Sequence, residues 1–463
     1  MAKLSSSKDS EELVLSAPVV KAKEGDELSI PGISKTEKLS RILGDQQFAQ
    51  ELYERIGVGA AKSASLFEDT DDEWCSTSEK NRNATTKKVP WPPLDEMDIP
   101  DRPLLDIMIH NEGFLLDFGQ PHVQLSSCTE NIIEDSHLDY RHYANDMAKF
   151  EHYNWMASTP AGPLSLSVIC QPIKTGLGPK KAISSFKCLL RSKEGDERIA
   201  ILASSFKEVL KSLRSARPEL LAVKWVRVKD PSMTAELINF ESQGIIDKYK
   251  FGVLYCREGQ KDEDEMFSNT DPSPSFTEFL HFLGEPVALD GWQRFAGGLD
   301  TKKGATGTES IYTNHEGFEI MFHVSTMLPY FPADKQQLER KRHLGNDVVV
   351  IIYLEGNSSV FSPLWLASHF NHVFFLVEKN PVFSDTRYDL AIAHKPGVRY
   401  YSPHIPSPAT FQKSADFRHW LLTKLINSER AAMQAPAFCE KLSRTRKMLL
   451  SDLMNRMVPS KDQ

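Results

Sequence analysis

The chain has 463 residues, of which 40% are hydrophobic and 25% are charged, so it can form folded cores and exceeds one ordinary domain. Its 63 acidic residues outnumber the 55 basic ones, and a net charge of −8 disfavours a general nucleic-acid-binding protein. The longest apolar run, Val348–Leu354, is far shorter than the ~20 residues that span a bilayer. Because an export signal is also missing, we expect a cytoplasmic protein with no transmembrane segment.

Residues 1–103 have the composition of a disordered tail followed by a proline-rich linker. Ser, Lys, Glu and Asp dominate this region, and five prolines fall within 87–103. Such a sequence has too little apolar surface to offset the entropy that is lost on ordering. We therefore place the first folded domain after residue 103.

Residues 104–245 have the pattern of a small α+β domain. Apolar and polar residues alternate over 164–168, as in a half-buried strand. Four apolar residues then recur at helical spacing and form one face of a helix: Phe206, Val209, Leu210 and Leu213. This face has to cover either the domain's own sheet or a second copy of the chain.

Residues 246–455 have the pattern of an α/β domain, in which apolar strand-length runs alternate with helical segments. The predicted strands are 251–256, 319–324, 347–354, 373–377 and 388–393. The predicted helices are 275–283, 334–343, 363–370 and a long C-terminal helix from 414. The first of these helices has a favourable start, because Ser273 and Pro274 suit its cap and first turn.

Common motifs for catalysis and metal binding are missing from the sequence. The chain has no G-x-x-x-x-G-K-[ST] loop, no HExxH, no GxSxG and no kinase signature. Its six cysteines are scattered without a CxxC pair, and its histidines lack metal-ligand spacing. His323, within a predicted strand, is typical of a hydrogen-bonded core histidine. We therefore expect no cofactor, no metal and no independent hydrolase site.

The segment 334–354 combines a helix with a cluster of polar residues at its end. Asp334 can cap this helix, and Gly345 can end it. Asn346 then lies three residues after His343 and four after Arg342, so the three side chains can share a face. An amide, an imidazole and several cations at one helix end suit an anionic partner such as a nucleotide phosphate. The alternative is a solvated basic face with Asn346 as a turn residue.

The sequence around this segment resembles the Rap GTPase-activating protein family, which shares the Rap/Ran-GAP domain. FGVLYCREGQKDEDEMFSN (251–269), GGLDTKKGATGTESIY (297–312), IMFHVSTMLPY (320–330) and QQLERKRHLGNDVVVIIY (336–353) occur in the family's order. The resemblance covers 248–455 strongly and 140–245 more loosely. It implies a dimerisation-like domain over 104–245, a GAP domain built like a G domain over 246–455, and a homodimer.

The resemblance also implies the activity and its residues. Such proteins are not enzymes themselves: they stimulate GTP hydrolysis by a GTP-bound Rap-type GTPase by inserting an asparagine, the Asn thumb. The matching thumb here is Asn346, and His343 matches the histidine that supports it. The residues that match the partner-binding side are Arg340, Lys341, Arg342 and, on the C-terminal helix, Arg444.

Alternatives to this function remain open at the level of sequence. Related Asn-thumb proteins serve Rheb or Ral, and a scaffold could bind the GTPase without stimulating it. The segment 398–408 departs from the family's usual Gly-Pro-Pro-Leu-Pro loop. Residues 51–77 lack the Gln-Arg pair of a Gα-binding motif, so Gα binding is not predicted.

Overall fold

Two β-sheets organise the chain in the computed structural model, which describes residues 113–117, 132–172, 184–356 and 361–458. The predicted tail and linker at 1–103 lie outside the described residues. The strands, in chain order, are β1 Leu115–Asp117, β2 His152–Thr159, β3 Gly162–Pro172, β4 Ser184–Ser192, β5 Gly195–Ala203, β6 Val226–Val228, β7 Lys248–Cys256, β8 Glu285–Ala288, β9 Glu309–His315, β10 Phe318–Val324, β11 Val349–Leu354, β12 Val373–Lys379, β13 Arg387–His394 and β14 Thr410–Gln412.

Helices lie between and after these strands. The α-helices are α1 Phe206–Ala216, α2 Met233–Gln243, α3 Glu263–Phe267, α4 Pro274–Leu283, α5 Leu338–Gly345, α6 Ala415–Met433 and α7 Pro436–Met457. Short 3₁₀ or π segments occur at Ser136–Asp139, Tyr143–Met147, Pro218–Leu220 and Pro363–Trp365. The predicted mixed α/β fold is confirmed.

The smaller sheet is antiparallel, with the strand order β5–β4–β3–β2–β6. Helix α1 covers one of its faces, because Val209 and Leu213 are buried in the same cluster as Leu166 and Val168 of β3. Trp155 of β2 also stacks on Phe206 with 3.9 Å between the ring centroids. The apolar face of α1 therefore covers the chain's own sheet rather than a second copy.

The larger sheet has the order β1–β13–β12–β11–β7–β10–β9–β8, with β14 paired to β13. Its central strands β12, β11, β7 and β10 are parallel, and the outer pairs are antiparallel. All six residues of β11 are buried, as expected for a parallel strand that is covered on both faces. Helices α4 and α6 pack on one face, and α3 and α5 pack on the other.

The last helix connects the two sheets. Helix α7 packs against β3, and its Leu453 is buried in a cluster with Met156 and Ile169 of the smaller sheet. Near the start of α7, the ring of Phe438 lies 4.5 Å from that of His372, beside the larger sheet. The predicted second domain, 246–455, therefore includes a helix that packs on the smaller sheet.

Three predicted helices differ from the observed ones. The helix predicted over 334–343 begins only at Leu338, because residues 334–337 form a turn in which Gln337 has a φ of +48°. The helix predicted over 363–370 is wrong: only the 3₁₀ turn at Pro363–Trp365 forms, and the residues after it adopt an irregular path. The long C-terminal helix is two helices, because Pro436 begins a new one.

Candidate functional site

Helix α5 carries most of the predicted site residues, and polar side chains determine where it begins. The Asp334 carboxylate accepts hydrogen bonds from the main-chain N–H groups of Gln336 at 3.0 Å and Leu338 at 2.7 Å. These N–H groups have no partner within the helix, so the carboxylate stabilises its first turn. At the other end of α5, Leu344 is buried against the sheet. The helix therefore leads directly to Asn346.

Arg340 faces the protein interior rather than the solvent. Only 2% of its surface is exposed, and its guanidinium donates hydrogen bonds to four main-chain carbonyls. The acceptors and distances are Leu328 at 3.0 and 3.1 Å, Pro329 at 3.2 Å, and Phe267 and Asn269 at 2.7 Å each. Burial lowers the pKa of Arg340. Its donors are occupied, so in this structure Arg340 joins α5 to the loops beneath it instead of facing a partner.

Lys341 and Arg342, the next two cations, are both paired with carboxylates. Lys341 forms ion pairs with Glu263, at 2.9 Å, and with Asp264, which joins α5 to α3. Arg342 pairs with Glu339 at 3.1 Å along the helix, and about half of each side chain is exposed. An exposed pair of this kind stabilises the fold by well under about 1 kcal/mol, so Arg342 can exchange its partner easily.

Asn346 is the C-cap residue of α5. Its main-chain N–H donates to the His343 carbonyl at 3.1 Å, and only 3% of its surface is exposed. Its side-chain Nδ2 has no hydrogen-bond partner within the described part of the chain. A buried amide nitrogen without a partner costs about 1–3 kcal/mol, which indicates that this group serves a purpose other than stability.

His343 lies one turn before Asn346 and is also buried without a partner. It is 3% exposed, and neither ring nitrogen has a hydrogen-bond partner among the residues that the structure describes. Burial, with a smaller contribution from the neighbouring His323, Lys250 and Arg342, lowers the pKa of His343 to about 2. The imidazole is therefore neutral at physiological pH.

Asp347 anchors the turn to the sheet on the side opposite the solvent. Its carboxylate is fully buried, with one oxygen 2.9 Å from Nδ1 of His323 and the other 3.6 Å from Nζ of Lys250. The second ring nitrogen of His323 lies 2.8 Å from the Gly297 carbonyl, which confirms its prediction as a hydrogen-bonded core histidine. Gly252 leaves room for the Asp347 carboxylate, because the Cβ of any other residue there would lie only 3.1 Å from it.

Arg444 lies on a different element from α5, the C-terminal helix α7. It is exposed on α7, one helical turn after Lys441, and residues at this spacing share a face. Lys441 lies over the ring of Phe370 at 5.0 Å, and Phe370 precedes Asn371, which hydrogen-bonds the turn that carries Asn346. The exposed cations of the predicted set are therefore Arg342 and Arg444.

Several residues of this site are missing from the sequence-based set. They are Lys250, Gly252, His323, Asp347, Ser368 and Asn371. The only signal for them in the sequence is that Asp347 is a charged residue directly before a fully apolar strand. The others come from strands and loops that are distant in sequence, so their contacts cannot be read from spacing.

Metal sites and membrane-spanning helices have no candidates in the described ranges. No group of three or more His, Cys, Asp or Glu side chains there is arranged to hold a metal ion. No helix among these residues combines the length and apolar character that crossing a membrane requires.

Comparisons with known proteins give a consistent family for the segment that contains this site. Residues 266–447 match the sequence model of the Rap/ran-GAP family. The chain is 40% identical over 313 residues to the GTPase-activating Rap/Ran-GAP domain-like protein 3 of Gallus gallus, covering 66% of this chain and 33% of that protein. It is 33% identical over 414 residues to the RapA guanosine triphosphatase-activating protein 1 of Dictyostelium discoideum, covering 74% and 38% respectively.

Two further similarities cover shorter parts. The signal-induced proliferation-associated 1-like protein 3 of Homo sapiens is 44% identical over 229 residues, 49% of this chain and 13% of that protein. The solved structure of the TSC2 GAP domain is 26% identical, with a TM-score of 0.32, and covers 45% of this chain and all of that one. The chain spans 33%, 32% and 38% of the lengths of the first three curated relatives that it matches. These matches identify residues 266–447 as a Rap/ran-GAP domain.

Proposed function

We propose that this chain stimulates GTP hydrolysis by a Rap-type small GTPase and that Asn346 is the residue it supplies in trans. The observation that carries the proposal is the unpartnered Nδ2 of Asn346 at the end of α5, within the Rap/ran-GAP segment. A side-chain amide has both an acceptor oxygen and N–H donors, so it can hold a water molecule against the γ-phosphate. The name of the Dictyostelium relative supports Rap as the partner.

The chemistry requires positioning rather than a covalent intermediate. Phosphoryl transfer is accelerated by orienting the attacking water and by stabilising charge, and a GAP contributes about 10⁵-fold. The chain has no nucleotide site of its own in this proposal and acts as an activator, not as an enzyme. His343 remains neutral beneath the turn and supports Asn346 without adding charge.

Docking has to uncover the amide, because Asn346 is 3% exposed in the free chain. Binding of the GTPase then compensates for this exposure by giving Nδ2 the partner that it lacks. Arg342 and Arg444 are the exposed cations that suit an acidic partner surface. Arg340 is excluded from this set by its carbonyl contacts, and Lys341 is largely neutralised by α3.

The decisive experiment measures phosphate release from GTP-loaded Rap with the wild-type chain and with Asn346→Ala. We expect the stimulated rate to fall by about 10³-fold or more in the variant, while binding to the GTPase persists, since the amide acts mainly in the transition state. Asn455→Ala is the matched control, because Asn455 is exposed on α7 outside the matched segment. A variant at residue 346 that retains more than about a tenth of the stimulated rate would contradict the catalytic role.

The same assay separates the alternative partners and roles. Stimulation of Rheb or Ral but not Rap would change the substrate and keep the mechanism. Binding to all three GTPases without stimulation of any would identify a scaffold. The homodimer and the cytoplasmic location stay predictions from the resemblance and from the sequence.

A further inference from the structure

The turn after α5 has main-chain carbonyls that the helix itself cannot satisfy. The last carbonyls of any α-helix lack partners within the helix and need donors from elsewhere. In this turn, the N–H groups of Asn346 and Asp347 reach back only to the carbonyls of His343 and Leu344. The orientation of the peptide groups around Asn346 therefore depends on which further donors bind the carbonyls of this turn.

Two side chains from one loop donate further hydrogen bonds to carbonyls of this turn. Asn371 Nδ2 donates to the Leu344 carbonyl at 2.8 Å and to the Asp347 carbonyl at 2.5 Å. Ser368 Oγ donates to the Gly345 carbonyl at 2.5 Å. The two residues thus hold peptide groups on both sides of Asn346, although they lie 23 to 27 residues away in sequence.

The loop that carries these donors is itself well held. Ser368 Oγ accepts from the main-chain N–H groups of Phe370 and Asn371 at 3.0 and 3.2 Å, and Lys395 Nζ donates to the Ser368 carbonyl at 2.7 Å. Phe370 lies beneath Lys441 of α7. Asn371 is only 2% exposed, so water does not compete for its bonds.

We propose that Asn371, assisted by Ser368, is a positioning residue that sets the direction of the Asn346 carboxamide for the stimulated reaction. The inference rests on the proposed function and adds a residue to its mechanism. Its amide nitrogen donates to the Leu344 and Asp347 carbonyls, so in this proposal Asn371 acts through the turn and not on the GTPase. Its loss should misplace the amide by tenths of an ångström to about 1 Å, and an error of 1 Å can lower a rate by about 10²-fold.

The test compares Asn371→Leu, which has similar volume and no donors, with the wild-type full chain on GTP-loaded Rap. We expect a saturating stimulated rate about 10- to 100-fold lower, with little change in the GTPase concentration that gives half the maximal rate. Ser368→Ala should show a smaller loss of the same kind, and Ser368→Thr, which keeps the hydroxyl, should restore it. Binding stoichiometry with a non-hydrolysable GTP analogue counts the folded fraction, so a purely structural defect would lower stoichiometry and rate together.

A double variant tests whether Asn371 acts through Asn346. If it does, Asn371→Leu should have almost no further effect on the rate in the presence of Asn346→Ala. Additive losses in the double variant would overturn the inference but leave the proposed function standing. The same holds if Asn371→Leu keeps more than half of the wild-type saturating rate. If Asn371→Leu does not fold, equal rates for Ser368→Ala and Ser368→Thr would overturn it. A wild-type chain that stimulates none of the three GTPases would instead overturn the proposed function, and this inference with it.

Discussion

Replacement of Arg340 should reduce stability rather than partner binding, contrary to what the resemblance implies for this position. Arg340→Met keeps much of the aliphatic volume but removes every donor to the four carbonyls at 267, 269, 328 and 329. A buried acceptor that loses its donor costs about 1–3 kcal/mol. Two effects make the net loss smaller than the sum over four acceptors: the loops can relax, and the variant no longer has to desolvate a guanidinium. We therefore expect the free energy of unfolding to fall by about 3 kcal/mol.

Arg342→Met is the matched control, two residues along the same helix. About half of the Arg342 side chain is exposed and its ion pair is local, so its loss should change the free energy of unfolding by less than about 0.5 kcal/mol. Urea denaturation of both variants provides the measurement. Arg340→Met should lower the midpoint urea concentration without changing the dependence of the unfolding free energy on urea. The folded fraction of Arg340→Met should reach half of its maximal stimulation at the same GTPase concentration as the wild-type chain. If the two variants instead unfolded alike and Arg340→Met required more GTPase, Arg340 would belong to the partner surface.

Two further predictions concern charge. Arg444→Glu should raise the GTPase concentration for half-maximal stimulation without changing the saturating rate. The effect of Arg444→Gln should be milder and should decrease with added salt. A loss in the saturating rate alone would instead place Arg444 beside Asn346. Burial lowers the pKa of His343 to about 2 and those of His315 and His372 to about 4, from 6.5 in the unfolded chain. These neutral side chains stabilise the fold fully above pH 6.5, and that stability is lost as the pH falls, because only the unfolded state binds the protons. Between pH 7.5 and 5.5 the three together should lower the free energy of unfolding by about 4 kcal/mol, and Glu378, whose pKa burial raises to about 7, should offset about half of this loss. Urea titrations should therefore show a net decrease, and an increase would show that these histidines are not buried and neutral.

Much of the fold was predictable because the relevant signals are local. The runs that became β7, β11 and β12 are continuously apolar, as central parallel strands require, and those that became β10 and β13 are mostly apolar. Other strands carried weaker patterns: β2 and β5 in the small sheet and β8 and β9 at the edge of the large one contain polar or small residues and were not predicted. The helix predicted over 363–370 does not extend beyond the turn at Pro363–Trp365, and Ser368 in the irregular segment that follows binds the Gly345 carbonyl.

The sequence alone located the candidate site's central helix, because helical spacing, Asp334 and the glycine before Asn346 are all local features, but it placed the start four residues too early. Only the tertiary structure decided what each of them faces. Arg340, Lys341 and Arg342 form one basic run, yet the first is buried, the second is paired to α3 and the third is half-exposed. The same holds for the turn after the helix, whose peptide groups are bound by Ser368 and Asn371. The physical reason is that burial and hydrogen bonding of a side chain depend on segments brought together by the sheet, and their distance along the chain leaves no periodic signal.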